Sequence, residues 1–124
     1  MHKFLLVDDS EFMREKLKEF IENDLGYKVI GEAADGEEGI AKFKELKPDF
    51  TVLDLYMPVL TGRDALIQLM DYEPDAKIMM TSSKGTPEII ESCMDEGALA
   101  YVVKPYLPER TRETFQKVFD SVGC

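Results

Sequence analysis

The sequence predicts an α/β fold in which five strands, each followed by a helix, form one parallel sheet. The first observation is a set of five short apolar runs, each of a length suited to a strand buried on both faces, at residues 4–7, 27–30, 50–53, 77–80 and 100–103. The second is that segments with helical periodicity lie between these runs. Because alternating strands and helices join through right-handed crossovers, we expect a doubly wound sheet with helices on both faces.

Each predicted helix carries apolar residues on one face. In chain order these stripes are Phe12, Met13, Leu17, Phe20 and Ile21; Ile40, Phe43 and Leu46; Leu66, Ile67 and Met70; Ile89, Ile90, Cys93 and Met94; and Phe115, Val118, Phe119 and Val122. The fourth helix has the clearest ends, because Thr86 can cap it, Pro87 suits its first position and Gly97 can end it. The last helix follows Pro108. Four methionines have the spacing of core residues: Met13, Met79, Met80 and Met94.

Composition argues against several classes of protein. With 124 residues, 44% of them apolar and 32% charged, the chain has the make-up of one folded domain, residues 1–124. Its formal net charge of −10 argues against binding to nucleic acid or to an anionic membrane, because either polyanion would repel it. One histidine, His2, and two cysteines, Cys93 and Cys124, match no zinc pattern or Ser/His/Asp triad. The apolar runs are too short for a membrane span or a signal peptide, so we expect a cytoplasmic protein.

Polar residues with definite chemistry follow four of the five predicted strands. They are Asp8 and Asp9, then Asp54, then Thr81, Ser82 and Ser83, and finally Lys104. Carboxyl ends of parallel strands meet at one edge of a sheet, which is where such sheets bind ligands. Three carboxylates there need a cation, and oxygen ligands without His or Cys favour Mg²⁺. A carboxylate beside Mg²⁺, a lysine and a hydroxyl can attack a phosphoryl group, so the pattern indicates an aspartyl-phosphate site.

Each of these residues also has an ordinary explanation when it is taken alone. An Asp after a strand is usually a helix cap or a solvated loop residue, Lys104 suits a surface charge, and Thr81 suits a turn hydroxyl. Those explanations give no reason for all of them to fall at strand ends. Their joint placement therefore favours the site.

At these residues the chain resembles the receiver domain of bacterial and archaeal response regulators, over essentially its whole length. The resemblance rests on the pair Asp8-Asp9, the stretch Asp54-Leu55-Tyr56-Met57-Pro58 with Gly62 after it, Thr81, and Lys104-Pro105. It implies a flavodoxin-like (βα)5 fold with strand order 2-1-3-4-5. The sequence departs from the commonest family pattern at Ser82, where alanine is usual, and at Tyr106, where phenylalanine is frequent.

The resemblance also implies roles for the site residues. Asp54 would accept a phosphoryl group from a phosphohistidine on a histidine kinase or phosphotransfer domain. Asp9, Asp54 and the Tyr56 main-chain carbonyl would bind Mg²⁺ directly, and Asp8 would act mostly through water. Lys104 would pair with a phosphoryl oxygen.

A second implied property is a conformational switch. Thr81 would form a hydrogen bond to the phosphoryl group, and Tyr101 would then turn inward. That movement would reshape the face made by the fourth helix, fifth strand and fifth helix, where a protein target binds. Tyr56 and Ser83 lie at variable positions beside the site, and these positions bear on the lifetime of the phosphate.

The expected function is a monomeric signalling module of the chemotaxis type, whose output is protein binding and whose only chemistry is its own phosphorylation and dephosphorylation. The chain ends soon after the fifth predicted helix, so we expect no output domain. One alternative is a phosphorelay intermediate that passes phosphate to a second histidine. Another is a small aspartyl-nucleophile phosphatase, but that class typically has a second Asp two positions after the nucleophile, where this chain has Tyr56.

Overall fold

The computed structural model describes residues 2–123, so Cys124 lies outside the described residues. The strands are β1 Lys3–Val7, β2 Lys28–Ala33, β3 Phe50–Asp54, β4 Ile78–Ser82 and β5 Ala100–Val103. The helices are α1 Glu11–Glu19, α2 Gly36–Leu46, α3 Gly62–Tyr72, α4 Pro87–Asp95 and α5 Pro108–Ser121. A π-helical turn, Phe20–Asp24, continues α1 directly. Within residues 2–123, no helix has the length and apolar character needed to cross a membrane.

All five strands pair in parallel in the order β2-β1-β3-β4-β5. The α/β fold and the 2-1-3-4-5 order are therefore confirmed. Because the order reverses between β1 and β3, the carboxyl ends of these two neighbouring strands form the switch point at which such sheets bind ligands.

The core consists of two apolar layers, one on each face of the sheet. Successive strand residues point to opposite faces, so Leu5 and Val7 enter one layer, and Phe4 and Leu6 the other. The first layer is closed by α2, α3 and α4, and the second by α1 and α5. Full burial of each large apolar side chain contributes about 2 kcal/mol relative to exposure. Burial on both faces explains why the central strands β1, β3 and β4 are mostly apolar. The edge strands β2 and β5 are only partly buried, contrary to the prediction of five strands buried on both faces.

Side-chain caps fix where four of the helices begin. The hydroxyls of Ser10, Thr61 and Thr86 and the carboxylate of Asp35 each accept a hydrogen bond from a backbone N–H in the first turn of the following helix. Thr86 therefore caps α4 as the sequence predicts, and Gly97, with φ 109°, ends that helix in a conformation that favours glycine.

The strands differ from the predicted apolar runs at their ends. Asp54, Thr81 and Ser82 are the last residues of β3 and β4, whereas the sequence placed them after the strands. The second strand begins after Tyr27 and continues to Ala33. An apolar run in the sequence indicates where side chains are buried, whereas a strand ends where its backbone pairing ends. In this sheet the backbone pairing continues through the polar residues at the strand ends.

Two apolar residues of the predicted helix stripes are exposed. Phe12 is 64% exposed, because it lies about 140° around α1 from the buried Leu17 at about 100° per residue. Met94 is also exposed, next to the buried Cys93 of α4. Of the other methionines predicted for the core, Met79 and Met80 on β4 are buried, and Met13 on α1 is half-buried.

Candidate functional site

Three carboxylates meet at the carboxyl edge of the sheet. Asp8 and Asp9 directly follow β1, and Asp54 ends the neighbouring β3. One oxygen from each carboxylate lies within 4.8 Å of those of the other two. Asp8 and Asp54 are each only 4% exposed, whereas Asp9 is exposed. The side chains thus converge on one point that remains open to solvent on the Asp9 side.

Lys104 supplies the nearest positive charge. Its ammonium Nζ lies 2.6 Å from Asp8 Oδ2 and 3.5 Å from Asp54 Oδ2, and its side chain is mostly buried. The contact with Asp8 is an ion pair without hydrogen-bond alignment, so within residues 2–123 the buried Asp8 Oδ2 accepts no hydrogen bond. One ammonium cannot balance three carboxylates. This all-oxygen donor set, with an unsatisfied buried oxygen, fits a hard divalent cation such as Mg²⁺.

The pKa of Asp54 reflects both its burial and the excess of negative charge around it. Burial raises the pKa of Asp54 from 3.8 to about 6, and the negative charge of Asp8 adds to the rise. The Lys104 ammonium and the backbone N–H of Tyr56 oppose that shift in pKa. Without a cation, the surroundings of Asp54 therefore destabilise its ionised form. A raised pKa of this kind is common among functional carboxylates.

Local contacts hold the Asp8 carboxylate and the backbone at Asp54. The Ser10 N–H donates a hydrogen bond to Asp8 Oδ1 at 2.9 Å, and the Arg14 guanidinium donates to the backbone carbonyl of Asp8. At Asp54, α3 begins so close that a Cβ on Gly62 would lie 1.9 Å from the Asp54 carbonyl oxygen. Only glycine allows this approach, which explains the Gly62 of the sequence motif.

A cavity of about 580 Å³ opens beside Asp54. Its lining residues come from the ends of β3 and β4 and from the segments that follow β3, β4 and β5, and are Asp54, Tyr56, Ser82, Ser83, Lys84 and Lys104. The Tyr56 ring is 49% exposed at this opening. A small anionic group bound to Asp54 would fit here, between Lys104 and the polar groups at the end of β4.

The hydroxyl of Thr81 is directed toward β5. Thr81 is buried and pairs with Asp54 in the β3–β4 register, but its Oγ1 donates a hydrogen bond to the Val102 carbonyl at 2.7 Å. The Tyr106 hydroxyl also contacts Thr81 Oγ1, at 3.2 Å. Burial raises the pKa of Tyr106, so this hydroxyl keeps its proton.

Tyr101 is already folded against the β4–α4 loop. Its hydroxyl donates to the Ser82 carbonyl and accepts from the Gly85 N–H, both at 2.9 Å. A Cβ on Gly85 would lie 2.3 Å from that hydroxyl, so the ring occupies space that only glycine leaves free.

The structure brings four predicted site residues together: Asp8, Asp9, Asp54 and Lys104. Thr81 lies beside them at the end of β4. Tyr101, on β5, forms hydrogen bonds with the β4–α4 loop that follows Thr81. Two further residues contact the site: Arg14, which sequence reasoning missed, and Tyr106, which it noted only as a departure from the family pattern. Helical periodicity marks Arg14 only as a polar residue, and nothing in a single sequence shows the Tyr106 contact.

The strand order, the acidic cluster and the lysine together place a candidate cation-binding site at the switch point of a doubly wound sheet. Comparison with known proteins agrees: the family described as the response regulator receiver domain matches residues 4–116. The chain belongs to this family and is a receiver domain of two-component signalling.

Individual relatives match nearly the whole chain. It is 41% identical to the chemotaxis protein CheY of Thermotoga maritima over 116 residues, covering 94% of this chain and 96% of that protein. It is 32% identical to the CheY of Bacillus subtilis, covering 96% of this chain and 98% of that one.

Solved structures agree with these sequence relatives. A complex of CheX, CheY, BeF3 and Mg²⁺ from Borrelia burgdorferi matches with a TM-score of 0.87 and 32% identity, covering 98% of this chain and 89% of that chain. The response regulator domain of Thermotoga maritima CheB matches with the same TM-score and identity, covering 100% of this chain and 98% of that one.

Proposed function

We propose that this receiver domain, spanning residues 1–124, is a phosphorylation-dependent switch with Asp54 as phosphoacceptor. The observation that carries the proposal is the convergence of three carboxylates on one point, with a single buried lysine between two of them. A histidine kinase or a phosphotransfer domain would supply the phosphoryl group. The protein then acts as a signalling module, with its own phosphorylation and dephosphorylation as its only chemistry.

The residues support this transfer in distinct ways. An Asp54 carboxylate oxygen attacks phosphorus, the P–O bond forms, and the P–N bond to the donor histidine breaks. Lys104 lies where it can leave Asp8 and pair with a phosphoryl oxygen, and Thr81 can donate to another. Asp8, Asp9, Asp54 and the Tyr56 carbonyl would hold Mg²⁺, which supplies charge neutralisation for the carboxylates and the phosphoryl oxygens.

The output of the switch would be binding of a protein target through α4, β5 and α5. This face carries exposed apolar side chains, namely Met94 on α4, Val103 on β5 and Leu107 at the start of α5. Exposed apolar groups rimmed by polar ones suit protein contacts. Changes at Thr81 and Tyr101 would alter this face. We propose a chemotaxis-type role for a cytoplasmic monomer, supported by relatives that are named chemotaxis proteins.

Phosphorylation is tested by incubating the protein with acetyl phosphate and Mg²⁺ and measuring its intact mass. The wild type should gain one phosphoryl adduct, and a chelator should prevent the gain because the carboxylates lose their counter-charge. Asp54→Asn should gain none, whereas Asp71→Asn, at an exposed position of α3, should behave as wild type. An undiminished adduct on Asp54→Asn would overturn the assignment.

Partner binding is tested separately with immobilised protein. Beryllofluoride, a mimic of the phosphoryl group, is added with Mg²⁺ before capture from cell extract, and the captured proteins are compared with those from untreated protein. A target retained only in the treated sample supports the switch. Identical capture by both forms would contradict it.

A further inference from the structure

Tyr106 contacts the switch residue Thr81 through a hydrogen bond whose direction can be worked out. A threonine hydroxyl has one hydrogen, and that of Thr81 is donated to the Val102 carbonyl at 2.7 Å. The 3.2 Å contact between the two hydroxyls therefore has Tyr106 as donor and Thr81 as acceptor. Together the two hydrogen bonds fix Thr81 Oγ1 on the β5 side, away from Asp54.

Binding of a phosphoryl group requires this arrangement to break. The hydrogen of Thr81 cannot serve the Val102 carbonyl and a phosphoryl oxygen at once, so the hydroxyl has to turn from β5 toward Asp54. That turn separates Oγ1 from the Tyr106 hydroxyl and leaves a half-buried donor to find another partner. The Tyr106 bond therefore exists in one state of the switch and opposes the other.

We propose that the Tyr106 hydroxyl is a positioning group that holds Thr81 in its unphosphorylated arrangement. It thereby disfavours the state in which Thr81 binds a phosphoryl group. The proposal rests on the proposed function of Asp54. The Tyr101 ring is already held against the β4–α4 loop by its own two hydrogen bonds. The Tyr106 hydrogen bond is a separate restraint, which acts on Thr81 itself. A phenylalanine at position 106 would keep the ring but remove the restraint.

The expected change in beryllofluoride affinity follows from the free energy that one hydrogen bond contributes. A hydrogen bond between neutral groups typically contributes enough to change an equilibrium about fivefold. Tyr106→Phe should therefore bind beryllofluoride, in the presence of Mg²⁺, about fivefold more tightly than the wild type. The matched control is Tyr27→Phe, which removes a hydroxyl just before β2 at the opposite edge of the sheet.

The test is a beryllofluoride titration followed by NMR of the threonine methyl groups. Tyr106→Phe should lower the dissociation constant, and it should shift the Thr81 methyl signal toward its bound position before any beryllofluoride is added. In a Thr81→Val background, Tyr106→Phe should have no effect on the dissociation constant, because the acceptor is already absent. If Tyr106→Phe acted only by loosening the packing, its effect on the dissociation constant would be the same in both backgrounds.

Each outcome decides one claim. An unchanged or higher dissociation constant for Tyr106→Phe, or an equal effect in the Thr81→Val background, would overturn the role of Tyr106. A wild-type protein that binds no beryllofluoride at all would instead overturn the proposed function of Asp54. Thermal unfolding of each variant confirms that it is folded before the titrations are compared.

Discussion

Replacing Asp54 with asparagine should stabilise the protein at neutral pH when no divalent cation is present. Burial raises the pKa of Asp54 from 3.8 to about 6, and the charge of Asp8 contributes to the rise. The ionised carboxylate is therefore more costly in the folded protein than in the unfolded chain. A difference of this size corresponds to about 3 kcal/mol, which asparagine avoids because it resembles the neutral carboxyl in shape.

The pH dependence of this gain has a definite sign. Below about pH 4 the carboxyl is protonated in both states, so the variant and the wild type should differ little. Between about pH 4 and 6 the folded protein keeps a proton that the unfolded chain has lost, and the stability contributed by that proton falls as pH rises. Above the folded pKa the loss is complete, and the advantage of Asp54→Asn reaches its full value.

Urea unfolding in the presence of a chelator, repeated from pH 4 to pH 7.5, measures this difference. Asp71→Asn provides the control, because it removes an exposed carboxylate from α3. Adding Mg²⁺ at pH 7 should stabilise the wild type more than Asp54→Asn, since the cation then neutralises the carboxylates. The reasoning fails if Asp54→Asn is less stable than the wild type at pH 7 in chelator, or if its effect is independent of pH.

Three further predictions concern neighbouring residues. Thr81→Ala should still accept phosphate but bind the target poorly, because the two states lose part of their differential interaction with the phosphoryl group; unchanged affinity of the phosphorylated variant for its target would remove Thr81 from the switch. Tyr56→Asn should lose phosphate faster, by up to about a hundredfold, because the ring stands beside Asp54 at the cavity opening; an equal or slower loss would exclude shielding. Lys104→Met should destabilise the protein by about 3 kcal/mol in chelator, since Asp8 loses its ion pair. In thermal unfolding, Mg²⁺ should restore part of the lost stability. A melting temperature equal to that of the wild type in chelator would contradict the role of the Lys104–Asp8 ion pair.

The sheet edge at which the polar residues meet could be predicted because it follows from a strong local pattern. Buried parallel strands are apolar throughout, so the polar residues that interrupt them mark the sheet edge where Asp8, Asp54 and Lys104 meet. The ends of α4 were equally well predicted from Thr86 and Gly97, whose preferences are set by the backbone.

Other features depend on tertiary geometry and left no local signal. Phe12 is an exception, because its position could be worked out from the sequence: at about 100° per residue it lies about 140° around α1 from Leu17, outside the buried stripe. The direction of the Thr81 hydroxyl depends on its distance from the Val102 carbonyl of β5, and its contact with Tyr106 depends on the path of the segment after β5. The resemblance to receiver domains implied only that tyrosine stands at position 106 where phenylalanine is frequent. Its hydroxyl acquires a partner only in the folded structure.

The central claim is that Asp54, among three adjacent carboxylates, forms the bond to phosphorus. The most direct measurement is to treat the protein with acetyl phosphate and Mg²⁺, reduce the acyl phosphate with borohydride, and sequence the peptides by mass spectrometry. Reduction converts a phosphorylated aspartate to homoserine, so the modified position is read directly. We predict homoserine at position 54 alone, whereas homoserine at Asp8 or Asp9 with position 54 unmodified would contradict the proposed site.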